Sequence, residues 1–414
     1  MSPARSLPTG RRGRGVALVA GGALAVAVAL AGCSSSSTGV EHGGSTAVVA
    51  TDPVDYSAPG PYPVGAVELT SGGAEPSPIY AWYPADPERL DEGTPVSGYS
   101  SAVAFPESLR DLLPEELVQE VPLALTADAP IAEGSFPIVV FSHGYGTHPQ
   151  YSAAQLAHLA SWGFVVAAPD HRSRDLAAVA TGTDRRGDDD VADLRTAIKV
   201  VRAEAQGRGR FAGSVDIEAV AALGHSAGGG AVARMIPDDD IDTFIGLAPA
   251  PPFDVPAEVG DQAALAELYA DRPPPELPVM LIAADRDIAV PLVAVDAEYD
   301  WLVAPKRYAV LADAGHNSFT DLCGPIRDRG GLGPLADRLP SVAAMLRLAD
   351  DGCVTGYLDP QLGHAVVNHL VVAQLRWVFG LDPSEEALAP DFVTSLFPGA
   401  LDRYESDPPV AGQG

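Results

Sequence analysis

The stretch AVAALGHSAGGG, residues 219–230, holds the most informative pattern in the chain. Five apolar residues typical of a buried strand run directly into Gly224-His225-Ser226-Ala227-Gly228, and helix-compatible sequence follows. A G-x-S-x-G pattern between a strand and a helix predicts a nucleophile elbow, a strained turn that raises a serine above the sheet. Glycine is needed on both sides because a Cβ atom there would clash with neighbouring backbone. We therefore predict that Ser226 is a nucleophile.

Strand-like and helix-like segments alternate on both sides of this stretch. Apolar runs predict strands at 66–70, 78–83, 137–141, 164–168, 219–223, 243–247, 279–283 and 307–311. Helical spacing predicts helices at 107–120, 150–161, 188–205, 226–235, 292–302, 339–349 and 360–379. This alternation predicts an α/β fold, a doubly wound and mostly parallel sheet with helices on both faces.

The domain is expected to span residues 61–385. Residues 85–134 carry no clear strand period, and we expect an insertion there that caps one side of the fold. Residues 386–414 are rich in proline and acidic residues, and we expect a C-terminal tail on the surface. The Pro-rich segment 249–275 is predicted to line an apolar pocket.

A serine nucleophile needs a base, and three histidines follow Ser226 in the chain. His316 lies on a loop just after the last predicted strand, whereas His364 and His369 lie within a predicted helix. We therefore predict that His316 is the general base. His364 and His369 are five residues apart and point to different sides of a helix, so a shared metal ion is not expected. We predict neither a metal nor an organic cofactor.

The predicted strand at 279–283 is followed by ADRDIAVP, residues 284–291. An aspartate followed by x-x-Val-Pro is a common spelling of the acid loop in this fold, and Asp287 fits it. Asp287 is predicted to orient His316 and to stabilise its protonated form. Asp285 remains the alternative.

Two backbone N–H groups are needed to stabilise an oxyanion. One is predicted at Ala227, directly after the nucleophile. The other is predicted at Tyr145, within the loop Ser142-His143-Gly144-Tyr145-Gly146 that follows the strand at 137–141. Structural roles are expected for the remaining nearby histidines, His143, His171 and His225.

The chain of 414 residues carries 55 acidic and 26 basic residues, a formal charge of −29. Such a surface repels polyanions, so a nucleic-acid partner is not expected.

The first acidic residue is Glu41, and four arginines precede an apolar run at 16–30. This run is short for a transmembrane helix and ends in Leu30-Ala31-Gly32-Cys33, which resembles the lipobox of bacterial lipoproteins. The resemblance implies a signal peptide at 1–32, a lipid on Cys33 and a flexible tether at 33–60. We therefore expect an exported protein that is lipid-anchored to the outer face of the bacterial cell membrane.

Cys323 and Cys353 remain after Cys33 is assigned to the lipid. Disulfides persist in oxidising compartments, so a bridge between these two residues is expected, with two free thiols as the alternative.

Three segments together resemble the platelet-activating factor acetylhydrolase branch of the α/β-hydrolase superfamily. They are FPIVVFSHGYG at 136–146, LASWGFVVAAPDHR at 159–172 and GHSAGG at 224–229. Bacterial members of this branch are often termed predicted dienelactone hydrolases, and polyester-cleaving relatives are similar. The resemblance spans about residues 62–380 and implies the α/β-hydrolase fold. It implies the same roles for Ser226, His316, Tyr145 and Ala227.

The chain departs from this branch in the position of the acid. In the acetylhydrolase the acid follows the strand after the nucleophile helix, where this chain has Leu247-Ala248-Pro249-Ala250. The acid must therefore come from Asp287, which weakens any transfer of substrate specificity.

The sequence thus predicts a serine hydrolase that cleaves short-acyl carboxylic esters, on a lipid or a polyester, through an acyl-enzyme. A peptidase or amidase on the same fold and a non-catalytic lipid-binding lipoprotein remain alternatives. The sequence leaves the oligomeric state open.

Overall fold

The computed structural model describes residues 53–408 apart from 73–75, 112, 114, 116–117, 186 and 256–260. The predicted signal peptide, Cys33 and most of the predicted tether therefore lie outside the described residues. Within the described part of the chain, no helix is both long enough and apolar enough to cross a membrane.

The described residues form one mixed sheet. Strands β1 to β11 occupy Val64–Thr70, Pro78–Pro84, Thr94–Ser100, Glu120–Ala127, Phe136–Ser142, Val165–Pro169, Val215–His225, Thr243–Leu247, Val279–Ala284, Lys306–Leu311 and Leu401–Asp407. Their order across the sheet is β11-β10-β9-β8-β7-β5-β6-β2-β1-β4-β3. The six central strands from β10 to β6 are parallel, so their carboxyl ends share one edge of the sheet.

Six of the twelve helices in the described residues connect parallel strands. Helices α1 to α12 occupy Glu107–Arg110, Ala153–Ser161, Leu176–Thr181, Asp188–Glu204, Ala227–Met235, Gln262–Ala270, Leu292–Trp301, Cys323–Asp328, Gly333–Ala336, Ala343–Ala349, Pro360–Val378 and Pro390–Leu396.

Both faces of the sheet are covered by helices. On β5 every residue is buried, because alternate side chains enter two different apolar cores. Val139 and Phe141 pack with α2 and α11 on one face, and Ile138 and Val140 pack with α4, α5 and α7 on the other. The predicted fold class is therefore confirmed, and the chain has the mostly parallel, helix-flanked architecture of the α/β-hydrolase fold.

The predicted insertion at 85–134 differs from the structure in two respects. It contains β3 and β4, an antiparallel pair that extends the sheet beyond β1. Of the described residues in the predicted helix at 107–120, Glu107–Arg110 form α1, and the α-helix does not continue through Asp111. Pro95 and Gly98 interrupt the alternation of β3, and Pro122 interrupts that of β4, so neither strand shows a regular pattern in the sequence.

The prediction of a surface tail at residues 386–414 is wrong for most of the described residues of that segment. Residues 390–396 form α12, and Leu401–Asp407 forms β11, which pairs antiparallel with β10. The sequence LDRYESD looks like surface because β11 is an edge strand whose residues are all partly or fully exposed.

One acidic side chain is buried in the core on the α7 side of the sheet. Glu298 is 1% exposed, and its Oε2 atom has no hydrogen-bond partner among the described residues. Burial raises the pKa of Glu298 from 4.5 to about 8, because the charged form is poorly solvated there.

This raised pKa predicts a pH-dependent stabilisation by Glu298→Gln. Between pH 4.5 and about 8 the folded wild type retains a proton that the unfolded chain loses, so its free energy of unfolding falls as the pH rises. The glutamine variant has no such loss. Its melting temperature should therefore exceed that of the wild type by a margin that widens between pH 5 and pH 8.

The control is Glu267→Gln, because Glu267 lies on the exposed face of α6. This variant should change the melting temperature by the same amount at pH 5 and at pH 8. A margin for Glu298→Gln that stays constant from pH 5 to pH 8 would contradict the raised pKa.

Candidate active site

The three side chains predicted to form a triad lie at one edge of the sheet. Ser226 stands between β7 and α5, Asp287 follows β9, and His316 follows β10. These three strands are parallel, so their carboxyl ends bring residues that are distant in sequence to the same place.

Two hydrogen bonds join these side chains in a line. His316 Nε2 lies 2.8 Å from Ser226 Oγ, and His316 Nδ1 lies 2.8 Å from Asp287 Oδ2. Since Asp287 accepts at Nδ1, the Nε2 atom is left to accept the serine proton. All three residues are buried, so water competes little for these bonds.

The backbone at Ser226 has the geometry of a nucleophile elbow. Its φ angle is +57°, a conformation that residues other than glycine rarely adopt. A Cβ atom on Gly224 would lie 2.4 Å from the Gly228 carbonyl oxygen. One on Gly228 would lie 2.0 Å from the Ser142 carbonyl oxygen. The two glycines are therefore required by close backbone contacts.

Asp287 is held by its own loop, and Asp285 has a different position. Asp287 Oδ1 accepts the backbone N–H groups of Ala289 and Val290 at 2.8 and 2.7 Å. Asp285 Oδ1 instead accepts the N–H of Ala314, at 3.0 Å, in the loop that carries His316. Of the two candidate acids, Asp287 is the one that contacts the histidine ring.

A further carboxylate, Asp351, joins the acid loop to the histidine loop. Its Oδ2 atom accepts the N–H of Ile288 at 3.0 Å and the N–H of His316 at 3.1 Å. Asp351 is buried and lies just after α10, far in sequence from both loops. No motif surrounds it, so sequence reasoning missed it.

The expected disulfide joins Cys323 to Cys353, so the alternative of free thiols does not hold in the structure. It closes a loop of 30 residues that starts near His316 and ends beside Asp351. A loop of this length restricts the unfolded chain enough to contribute about 3–4 kcal/mol to stability. The bridge thereby strengthens the region that supports the histidine loop.

The other histidines have structural contacts. His225 Nε2 donates to the His316 carbonyl oxygen at 2.9 Å, and burial lowers the pKa of His225 to about 3, so it stays neutral. His364 and His369 contact the carbonyl oxygens of Thr320 and Ala387. Over the residues that the structure covers, no group of three or more His, Cys, Asp and Glu side chains could hold a metal ion.

The predicted oxyanion loop at 142–146 follows β5 and approaches the nucleophile closely. A Cβ atom built on Gly144 would lie 3.4 Å from Ser226 Cβ, and Tyr145 and Ala227 line the same cavity as Ser226. Ala227 is the first residue of α5, so its N–H has no acceptor within the helix. The roles of Tyr145 and Ala227 as oxyanion donors stay predictions.

Arg174, which sequence reasoning missed, supports this loop from below. Its guanidinium is fully buried; Nη1 donates to the carbonyl oxygens of His143 and Gly144, and Nη2 donates to Ser142 Oγ. The Arg174 carbonyl oxygen accepts the N–H of Gly146 at 2.8 Å. One residue thus fixes both ends of the loop.

The charge of Arg174 is balanced inside the protein. Asp190, 1% exposed, lies 3.1 Å from Arg174 Nε. His171 Nε2 lies 2.9 Å from Ser142 Oγ, and its Nδ1 lies 3.0 Å from Asp193 Oδ2. Burial lowers the pKa of His171, which stabilises its neutral form. Part of this network lies in the segment PDHR at residues 169–172. Its support of the loop at 142–146 depends on tertiary contacts that the sequence does not show.

A cavity of about 250 Å³ opens at Ser226. Its far side is formed by what we call the cap, helices α8–α10 together with the described residues of 101–113. Most of the lining is apolar, including Phe105, Leu176, Ile326, Leu335, Met345 and Leu346. The Pro-rich segment 249–275, predicted to line the pocket, contributes only Ala250 among its described residues, so the cap provides most of the lining.

The fold and this geometry define the class: an α/β-hydrolase-fold chain with a buried Ser–His–Asp hydrogen-bonded line beside an apolar cavity. Residues 55–211 match the family model described as platelet-activating factor acetylhydrolase, isoform II. The chain is 30% identical to a platelet-activating factor acetylhydrolase of Cavia porcellus over 127 residues, 29% of either protein. It is also 30% identical to that of Gallus gallus over 128 residues, 29% of this chain and 30% of that protein.

The chain thus spans less than a third of the length of these curated relatives. The family match covers the loop at 142–146 and Arg174 and ends before Ser226, Asp287 and His316. The geometry of those three residues is therefore an observation independent of the family match.

The contacts of Arg174 predict that Arg174→Met slows the reaction of Ser226 with a fluorophosphonate at least about tenfold. Three buried acceptors would lose their charged donor, and the loop would no longer be held against the nucleophile. The rate of covalent labelling measures this directly, and Arg174→Lys should recover part of it.

The matched control is Arg307→Met, because Arg307 is also fully buried but lies at the start of β10 and pairs with Gln374 and Glu385. It should lower the melting temperature without slowing labelling. Equal slowing in the two variants would show that Arg174 contributes to stability alone.

Proposed function

We propose that this protein is a serine hydrolase that cleaves short-acyl carboxylic esters, with a lipid ester as the favoured substrate class. The observation that carries the proposal is the line of two 2.8 Å hydrogen bonds from Asp287 through His316 to Ser226. Its position at the wall of an apolar cavity supports an acyl substrate. The name of the relatives, acetylhydrolase, supports a short acyl group.

The mechanism follows from the positions of these atoms. Ser226 Oγ attacks the ester carbonyl while His316 Nε2 takes its proton, and Asp287 stabilises the imidazolium that forms. The amides of Tyr145 and Ala227 donate to the oxyanion of the tetrahedral intermediate. His316 then protonates the leaving alcohol, and a water molecule activated by the same histidine releases the acid from Ser226.

A neutral histidine next to the proposed base favours this chemistry. His225 lies against His316, with ring centroids 4.9 Å apart, and its lowered pKa means that it adds no positive charge there. A charged neighbour would oppose protonation of His316, so a neutral His225 leaves the base able to accept the serine proton.

The site of action is the second part of the proposal and rests on the sequence. The arginines, the apolar run and Leu30-Ala31-Gly32-Cys33 support export and a lipid on Cys33. A protein held at a membrane surface meets lipid esters at high local concentration.

The esterase proposal predicts turnover of p-nitrophenyl esters, tested from acetate to dodecanoate on the chain from residue 34 onward. Ser226→Ala and Asp287→Asn should each lower kcat about a hundredfold or more, because the first removes the nucleophile and the second the orienting charge. Short esters should be cleaved fastest. A p-nitroanilide with the same acyl group tests the amidase alternative and should be cleaved far more slowly than the ester.

The control is Asp285→Asn, a neighbouring carboxylate that contacts a backbone amide and not His316. It should retain most of the activity. If wild type and Ser226→Ala are equally inert and a fluorophosphonate fails to label Ser226, a non-catalytic lipid-binding role replaces the esterase.

The anchor proposal predicts that the full-length protein expressed in a bacterium incorporates an alkyne-bearing fatty acid and sediments with membranes. Cys33→Ser should abolish both, because no thiol remains to be acylated at that position. Incorporation of the label into Cys33→Ser would contradict a lipid on this residue.

A further inference from the structure

One charged side chain in the wall of the cavity is not used by the proposed chemistry. Arg329 directly follows α8 in the cap and lines the cavity that contains Ser226 and His316. Its Nη1 atom donates to the Pro325 carbonyl oxygen at 3.3 Å. Its Nη2 atom is buried and has no hydrogen-bond partner among the described residues.

Arg329 also has no acidic partner in the described part of the chain, although the protein carries 55 acidic residues. The described residues that line the cavity include no Asp, Glu or Lys, and Arg329 is the one arginine among them. Burying a guanidinium nitrogen without a partner is costly, so such a group is expected to meet an acceptor in the working state.

Stabilisation of the end of α8 accounts for only part of this arrangement. A cation at a helix C-terminus interacts favourably with the last carbonyl groups, and the bond from Nη1 to Pro325 serves that purpose. The Nη2 atom remains a donor without an acceptor among the described residues. No carboxylate is among the described residues that line the cavity, so an anionic partner for the Arg329 guanidinium would have to be a molecule bound there.

We propose that Arg329 determines specificity by binding an anionic group of the substrate, the oxygen atoms of a carboxylate or a phosphate. The inference rests on the proposed esterase function and narrows its substrate class to esters that carry a negative charge beyond an apolar portion. The planar guanidinium suits these oxygens because its donors match their spacing, and an apolar surrounding strengthens the pairing.

The overall charge of the protein makes a local cation necessary for such a substrate. A formal charge of −29 disfavours the approach of anions in general. Selectivity for an anionic ester would therefore have to arise inside the cavity, and Arg329 is the cation placed there.

The anionic group can belong to either half of the ester, and two pairs of substrates distinguish the halves. In the acyl pair, p-nitrophenyl hexanoate is compared with the p-nitrophenyl monoester of adipic acid, whose terminal carboxylate replaces the methyl group. In the alcohol pair, the acetate ester of para-methylphenol is compared with the acetate ester of para-hydroxyphenyl phosphate. The measured quantity is the ratio of kcat/KM for the anionic ester to kcat/KM for the neutral ester.

In the wild type this ratio should be high for one pair, and in Arg329→Gln it should fall at least about tenfold for that pair, because a charge-assisted hydrogen bond is lost. Turnover of the neutral ester should change less than about twofold, which shows that the variant is folded. Arg329→Lys should retain part of the ratio. The control is Arg347→Gln on α10, an exposed arginine of the same cap that pairs with Asp337, and it should leave the ratio unchanged.

If Arg329→Gln lowers the kcat/KM ratio of the acyl pair, the anionic group belongs to the acyl half of the ester. If it lowers the ratio of the alcohol pair, the anionic group belongs to the alcohol half. Either result supports the proposal. A ratio that is unchanged by Arg329→Gln in both pairs, with neutral turnover intact, overturns the role of Arg329 alone. Absence of turnover of both the neutral and the anionic esters in the wild type contradicts the esterase function itself, so the two failures are distinguishable.

Discussion

The left-handed backbone at Ser226 is the constraint on which the site depends. A serine can hold this conformation only if the chain before and after it is packed so tightly that no other turn fits. Gly224 and Gly228 permit that packing, since their missing Cβ atoms leave room for the Gly228 and Ser142 carbonyl groups. The turn places the hydroxyl above the ends of the parallel strands, where the neighbouring loops deliver Asp287 and His316.

The rest of the site can be understood as support for that turn. Arg174 holds the loop at 142–146 from below, and Asp351 joins the two loops that carry the acid and the histidine. Both residues act through backbone groups that would otherwise be buried without a partner. Arg174 donates to two carbonyl groups and one hydroxyl group, which is more than the two N–H donors of a neutral amide side chain could satisfy, and this explains why a guanidinium occupies the position below the loop.

Sequence reasoning predicted the parts of this arrangement that are encoded locally. The elbow, the Asp287 loop and His316 each carry a short pattern next to a buried strand, and the structure has a strand at each of the eight predicted positions. Arg174, Asp351 and Arg329 were not found, because their positions are defined only by contacts with residues distant in sequence. Strands β3, β4 and β11 were missed for a different reason: β3 and β11 are the edge strands, β4 lies next to β3, and each of the three has at most one buried residue. They therefore lack the burial on both faces that gives the central strands their apolar pattern.

The edge strand β11 comes from a segment far along the chain from the strand that it covers. β10 leads into the loop of His316, and one of its two edges is covered by Leu401–Asp407, which lies about ninety residues further along the chain. Until that segment is in place, β10 presents unpaired N–H and C=O groups that can recruit another strand. Among the described elements β11 is the last in the chain, so during synthesis this edge of β10 stays open until the other described elements have been made.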